Sequence, residues 1–307
     1  MSEDLPILVV GTDTPLGEAL CQFFDLRGTE YVALPRSDCR WKNERQVKKA
    51  LRRATYRFVV DLRLQSAVDS GGRLHDIDIN RSLWLARASR TLKLPVMLVS
   101  SAMVFAGLEG HAYSEEDHPD GHEPLSQLLA SAEELLRENN SRHVVLRLGT
   151  VFSARGSNPL TYLLAQLHEN GYLTLDRHRR GCPVPVDDAA RVVSGMLDQY
   201  SCGLEQWGVY HYCSPDMTSC YGFSEVLLAA ASQYTSFADD TQDALLRPVE
   251  GEVREFRLAC EKIRDTFAIK QQPWRASVAA SVKQFYAKNS PRERQDDAAP
   301  RQQDATA

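Results

Sequence analysis

No two cysteines of this chain fall in a CxxC spacing, no apolar run approaches the ~18–20 residues that cross a bilayer, and neither sign of charge dominates. Each absence excludes something. Seven cysteines, Cys21, Cys39, Cys182, Cys202, Cys213, Cys220 and Cys260, are odd in number and scattered, which speaks against a disulfide framework. Without a membrane-crossing run or a leader before the first strand, the chain is expected to be cytoplasmic, with its thiols reduced. A net charge of −5 gives no electrostatic footprint for nucleic acid or an anionic membrane, so neither is expected as a partner. No Gly-x-Ser-x-Gly elbow follows a strand, which leaves a serine hydrolase without its nucleophile.

What is present begins at Pro6. An apolar strand, Ile7 to Val10, runs into the turn Gly11-Thr-Asp-Thr-Pro-Leu-Gly17 and then into an amphipathic helix carrying Leu16, Leu20, Phe23 and Phe24. A buried strand feeding a helix opens a doubly wound parallel sheet. The free N–H groups of such a turn favour an anionic phosphate. The spacing is Gly11-x-x-Thr14-x-x-Gly17, with Thr14 where a dinucleotide turn has a middle glycine for close backbone approach. A second strand, Glu30 to Leu34, ends at Pro35-Arg36-Ser37. An arginine there, with no carboxylate on Pro35-Arg36-Ser37, tilts any nicotinamide binding toward NADP, unless Arg36 is only a solvated strand-end charge.

Further strands are expected at Arg57 to Asp61, Val96 to Ser101 and Val144 to Leu148, separated by helices over Asn43 to Ala54, Asp78 to Leu92 and Leu125 to Glu138. The lysines and arginines of the first of these helices read as its wet face. This rhythm predicts an α/β fold, a Rossmann-like doubly wound parallel sheet over residues 1–150. A smaller α/β lobe of substrate-binding type follows over 151–288, with segments returning to the first. Residues 289–307 hold too little apolar surface to fold and are expected to be disordered. His111, His118 and His122 lie among acids on a polar loop and read as a solvated loop, so no metal is expected. Trp207, Tyr210, Tyr212 and Tyr221 read as core aromatics beside a strand.

Taken in order, the motifs resemble the extended short-chain dehydrogenase/reductase superfamily, and within it the dTDP-4-dehydrorhamnose reductase-like, sugar-nucleotide-binding branch. Ser100-Ser-Ala-Met-Val-Phe-Ala-Gly107 is similar to the branch's Ser-Thr-Asp-Tyr-Val-Phe-Asp-Gly, and Tyr113-Ser-Glu-Glu-Asp117 to its Tyr-x-Glu-x-Asp loop. Gly181-Cys-Pro-Val-Pro-Val-Asp-Asp188, Gly208-Val-Tyr-His-Tyr212 and Pro273-Trp274-Arg275 follow its later blocks. The resemblance implies that a dinucleotide would lie against Gly11, Asp13, Thr14, Pro15, Leu16 and Gly17, with Arg36, Leu62 and Arg63 alongside.

The resemblance also implies a chemistry: a Ser or Thr hydroxyl polarises the substrate carbonyl, and a Tyr phenol donates the proton. A Lys four residues after that Tyr, on the same helix face, lowers the phenol pKa. Setting Ala130-Ser-Ala-Glu133 against the branch's Leu-Ala-Gly-Glu puts Leu125 in the Tyr place and Leu129 in the Lys place. Of the three groups only Ser101 remains. General acid catalysis contributes ~10²–10⁴-fold, and a leucine supplies none of it. Where the branch has Asn-Ala-Ala-Ala-Tyr-Thr after the third strand, this chain has Asp61-Leu-Arg-Leu-Gln-Ser66. Leu62, Arg63 and Leu64 are expected to crowd a dinucleotide; the other reading turns Arg63 outward onto a phosphate.

The expectation is therefore a catalytically silent member of the branch that keeps the fold and binds a nucleotide or nucleotide-sugar ligand or a protein partner, as a homodimer or otherwise. NADP is the cofactor such a site would take. Two alternatives stand beside it. One is an active NADPH-dependent nucleotide-sugar reductase or epimerase with a relocated acid, for which Tyr113 is the nearest phenol. The other is a regulatory subunit of a metabolic enzyme, since the branch includes one for methionine adenosyltransferase.

Overall fold

The computed structural model describes residues 5–237 and 242–288, so the segment 289–307 lies outside the described residues. The first strand, β1 (Ile7–Val10), leads through the Gly11 turn into α1 (Pro15–Arg27). Local chemistry fixes this corner. Thr14 caps the helix, its Oγ1 accepting the Gly17 N–H at 3.0 Å, and Pro15 occupies the first helical position, where a missing N–H costs nothing. Gly11 takes a left-handed φ of 92°, and a Cβ on Gly17 would lie 2.2 Å from the Gly11 carbonyl oxygen, so neither position tolerates a side chain.

After β2 (Tyr31–Leu34) and α2 (Glu44–Leu51), β3 (Phe58–Asp61) passes directly into a short helix, α3 (Arg63–Asp69). Arg63 and Leu64, expected to crowd a dinucleotide, thus open a helix for which Leu62 is the N-cap residue. Then come α4 (Asp76–Thr91), β4 (Val96–Ser101), a two-residue β5 (Ala112–Tyr113), α5 (Pro124–Asn139) and β6 (His143–Leu148). The fourth strand and the helix after it fall where the periodicity predicts them.

The remainder adds β7 (Val151–Phe152), α6 (Pro159–Asn170), β8 (Leu173–Asp176), β9 (Arg179–Gly181), β10 (Val184–Pro185) and α7 (Val186–Ser201). It continues with β11 (Gly208–Tyr212), β12 (Thr218–Ser219), α8 (Cys220–Ala231), α9 (Gln242–Leu245), β13 (Leu246–Val249), β14 (Arg254–Leu258), α10 (Glu261–Phe267) and α11 (Arg275–Lys288). Six parallel strands form the main sheet in the order β11-β6-β4-β3-β1-β2, the doubly wound arrangement, reversing direction between β1 and β3. β11 returns from far along the chain to complete this sheet.

Two hydrophobic cores follow. The larger holds the main-sheet strands with faces of α1, α5, α7 and α10. The smaller is built by α6, α8 and α11 around Phe152, Phe223 and the fully buried Trp274. Tyr210 and Tyr212 are buried in the larger core, and Trp207 stacks on Tyr200 at 4.8 Å, in keeping with core aromatics. Among the described residues no helix is long and apolar enough to cross a membrane.

Candidate functional site

A cavity of about 230 Å³ opens where the carboxyl end of β4 meets the second set of elements. Ser101 and Met103 bound it below, Thr150 and Cys182 flank it, and Arg179 and Thr218 reach it from β9 and β12. Crevices at the carboxyl ends of parallel strands are where open α/β sheets take ligands. The wall is mostly apolar, with hydroxyls and two guanidinium groups as its polar handles. Arg179 rests on the Phe256 ring at 5.0 Å and lies 3.9 Å from Glu123, while Arg180 pairs with Glu255 at 3.4 Å. Both are partly exposed, so each keeps charge to offer an anion.

Ser101 is buried, and its Oγ accepts the Met103 N–H at 3.2 Å, which caps the short turn after β4. Ser101 is also part of the cavity lining. Leu125 and Leu129, on the first turns of α5, do not line it. Leu129 is 0% exposed and belongs to the main core, and Leu125 packs against that core from its edge. The Cys182 thiol pKa is raised by its hydrogen bond with Cys213 and by burial, which keeps it a neutral, weakly nucleophilic wall group.

Tyr113 is not turned toward this cavity. Its phenol oxygen accepts the N–H groups of Gly107 at 3.0 Å and Leu108 at 2.9 Å, and its ring stacks on Phe105 at 3.9 Å. Burial raises its pKa. Of the loop histidines, His111 lies 3.3 Å from Asp117, and His118 and His122 are exposed. Among the described residues no three metal-ligating side chains converge.

The turn residues assigned to a dinucleotide are assembled as follows. Asp13 reaches across to Arg36, taking its backbone N–H at 2.7 Å and its Nε at 3.0 Å. Partial burial pushes the Asp13 pKa up, but these Arg36 contacts outweigh it and hold the carboxyl below its usual value. Thr14 is 0% exposed, and Leu16 and Leu62 are core residues. Arg63 is buried rather than turned outward: its Nε and Nη2 lie 2.9 and 2.7 Å from Asp61, and its guanidinium sits 5.6 Å from the Trp41 ring.

Sequence reasoning missed a buried polar cluster where Ser100, Arg147 and His211 share one row across β4, β6 and β11. Glu133 on α5 receives Arg147 Nη2 at 2.6 Å and the Ser100 hydroxyl at 2.5 Å, and Arg147 Nη1 points at His211 Nε2, 3.2 Å away. His211 Nδ1 lies 3.1 Å from the Tyr113 carbonyl, so the ring carries its proton there and Nε2 accepts from Arg147. Burial, then the Arg147 charge, lowers the His211 pKa to about 3, which keeps the ring neutral. Ser100, Glu133 and His211 fall in blocks that resemble the branch, but nothing in the sequence joined them to Arg147. The Arg177 to Arg180 run was the overlooked pointer to the cavity mouth.

A doubly wound, six-stranded parallel sheet with further strands and helices beyond its carboxyl edge is a fold shared with the extended short-chain dehydrogenase/reductases. Within that class the chain belongs to the RmlD substrate binding domain family, whose model matches residues 5–287. It is similar to the dTDP-4-dehydrorhamnose reductase of Sinorhizobium fredii, 25% identical over 247 residues, covering 77% of this chain and 83% of that one. The crystal structure of a dTDP-4-dehydrorhamnose reductase from Clostridium acetobutylicum superposes with a TM-score of 0.75 at 15% identity, covering 91% of this chain and 99% of that one. A Bacillus anthracis dTDP-4-dehydrorhamnose reductase solved in complex with NADP gives a TM-score of 0.72 at 14% identity, covering 92% and 98%.

Proposed function

We propose that this protein is a non-catalytic, dTDP-4-dehydrorhamnose reductase-like binder of a nucleotide or nucleotide-sugar ligand, acting in regulation rather than turnover. One observation carries the reading: the helix that would present a phenol and an ammonium presents Leu125 and Leu129, the second of them sealed in the core. The cavity supports the binding half of the proposal. Its apolar wall suits a deoxysugar ring or a base, and Arg179 and Arg180 at its mouth suit a diphosphate. With Ser101 the remaining hydroxyl of the reductase set, a bound carbonyl would be held without a proton donor of the Tyr/Lys kind.

The test uses the purified full chain. A dTDP-sugar is expected to raise the melting temperature, a saturating ligand at 100 times its Kd contributing about 2.7 kcal/mol. The double variant Arg179→Ala/Arg180→Ala is expected to lose that shift. NADPH together with dTDP-4-dehydro-6-deoxy-L-mannose is expected to remain unconsumed. Oxidation of NADPH at an enzymatic rate would overturn the reading in favour of an active reductase with a relocated acid. A stoichiometric enzyme co-purifying with the chain would assign the regulatory role to that enzyme.

A further inference from the structure

The fold implies a nicotinamide dinucleotide, lying outside the carboxyl ends of β1 and β3 where the strand order reverses. That crevice is filled by the chain itself. A Cβ placed on Gly11 would meet Arg63 Cγ and Arg63 N at 3.4 Å each, so the arginine lies directly on the turn. From there its guanidinium folds inward onto Asp61, with Nη2 also 3.4 Å from the Ser82 hydroxyl, and covers the face of Trp41. Arg63 is 8% exposed and Trp41 5%. Drawing Arg63 aside would separate a desolvated pair and leave Asp61 as an uncompensated buried charge.

The first turn of α1 also has few donors to give a pyrophosphate. Anion binding at a helix start depends on N–H groups without partners and on close approach of the backbone. Here Pro15 has no N–H, the Gly17 N–H is taken by Thr14 Oγ1, and the Glu18 N–H is taken by the Thr14 carbonyl at 2.8 Å. Leu16 is left as the donor of that first turn. Thr14, in the middle-glycine place, is wholly buried, and its hydroxyl also reaches back to the Gly11 carbonyl at 2.7 Å. The loop leading to α6 closes from the other lobe, since a Cβ on Gly156 would come within 2.8 Å of Pro15 Cγ. Asp13 adds a carboxylate at the turn and occupies Arg36, the residue a 2′-phosphate would require.

We infer that this chain has closed its own dinucleotide crevice, with the Asp61–Arg63 pair against Trp41 taking the space and the capped first turn of α1 left with the Leu16 N–H as its donor, so that it binds neither NAD(H) nor NADP(H). The interlobe cavity then works without a nicotinamide beside it. This inference stands apart from the absence of a proton donor: a protein could lose its acid and keep its cofactor.

The experiment is a titration of the full chain with NADPH, following reduced-nicotinamide fluorescence, and in parallel with NADH, NADP⁺ and NAD⁺ by calorimetry. No saturable binding is expected up to concentrations on the order of a millimolar. The double variant Asp61→Asn/Arg63→Ala, which removes both members of the pair and strands no charge, is expected to bind NADPH at least about tenfold more tightly. Pro15→Ala returns one N–H without touching the pair and is expected to stay silent. Saturation of the unaltered chain at micromolar NADPH, or a dinucleotide co-purifying with it, would sink the inference while leaving the proposed function intact. A folded double variant as silent as its parent, or binding restored by Pro15→Ala alone, would show that Arg63 is not what closes the crevice. If circular dichroism shows the double variant unfolded, the titration of the unaltered chain decides.

Discussion

Leu129 is the residue at which the proposed loss of chemistry can be tested most directly. A lysine at this place would need its ammonium near water or a ligand, but the site is sealed, so the charge would enter the core without a partner. The double substitution Leu125→Tyr/Leu129→Lys is therefore expected to destabilise the protein by at least ~2 kcal/mol and to bring no NADPH oxidation. Urea denaturation and a reductase assay check it together. A variant as stable as its parent and able to turn over would mean that the first turns of α5 have room for the pair. The leucines themselves were legible from the register. Arg63 was legible only as a choice between crowding and clamping, because whether an arginine turns inward depends on Asp61 and Trp41, and Trp41 reaches it only through the fold.

Among the elements, α5 is tied to the main sheet by more than apolar packing. Glu133 on the helix and Arg147 on β6 form a desolvated pair, 1% and 1% exposed as residues, with Ser100 and His211 completing their hydrogen bonds. Such a pair contributes little over a well-packed apolar replacement, yet removing one member is costly because the other stays buried and charged. Glu133→Gln is expected to cost ~3–5 kcal/mol, and Glu133→Leu/Arg147→Met markedly less. Chemical denaturation of both variants separates the outcomes; a single substitution no worse than the double would refute the account. No periodicity announces this cluster, since Arg147 and His211 are 64 positions apart and meet only when β11 returns to β6.

For the molecule as a whole, the contact between α3 and β7 should be visible in the pH dependence of stability. Asp69, at the end of α3, accepts the Val151 N–H at 3.0 Å and the Gln65 amide at 3.0 Å, pinning the first elements to β7. Burial raises its pKa from 3.8 to about 8. Between those values the folded chain holds a proton that the unfolded chain releases, so stability falls as pH rises, by at most ~1.4 kcal/mol per unit. His211 acts oppositely. Its pKa falls from 6.5 to about 3, so between those values the unfolded chain binds the extra proton and stability falls as pH drops. The two slopes offset each other where the windows overlap, and of the two only the Asp69 slope continues above 6.5. Melting temperatures are expected to decline from there toward pH 8, and Asp69→Asn is expected to flatten that decline. Identical slopes for parent and variant would exclude Asp69 as the cause.

The sequence by itself determined the alternation of strands and helices, the Gly11–Gly17 corner, the branch of the family and the leucines on α5, because each is written in local spacing or in side chains that cannot do a given chemistry. Tertiary structure alone decided where Arg63 points, which N–H groups of α1 remain for a phosphate, and how β9, β12 and α8 roof the cavity beside Ser101. Those outcomes depend on partners distant in the chain, and a linear pattern carries no information about which of two burials a long charged side chain will take.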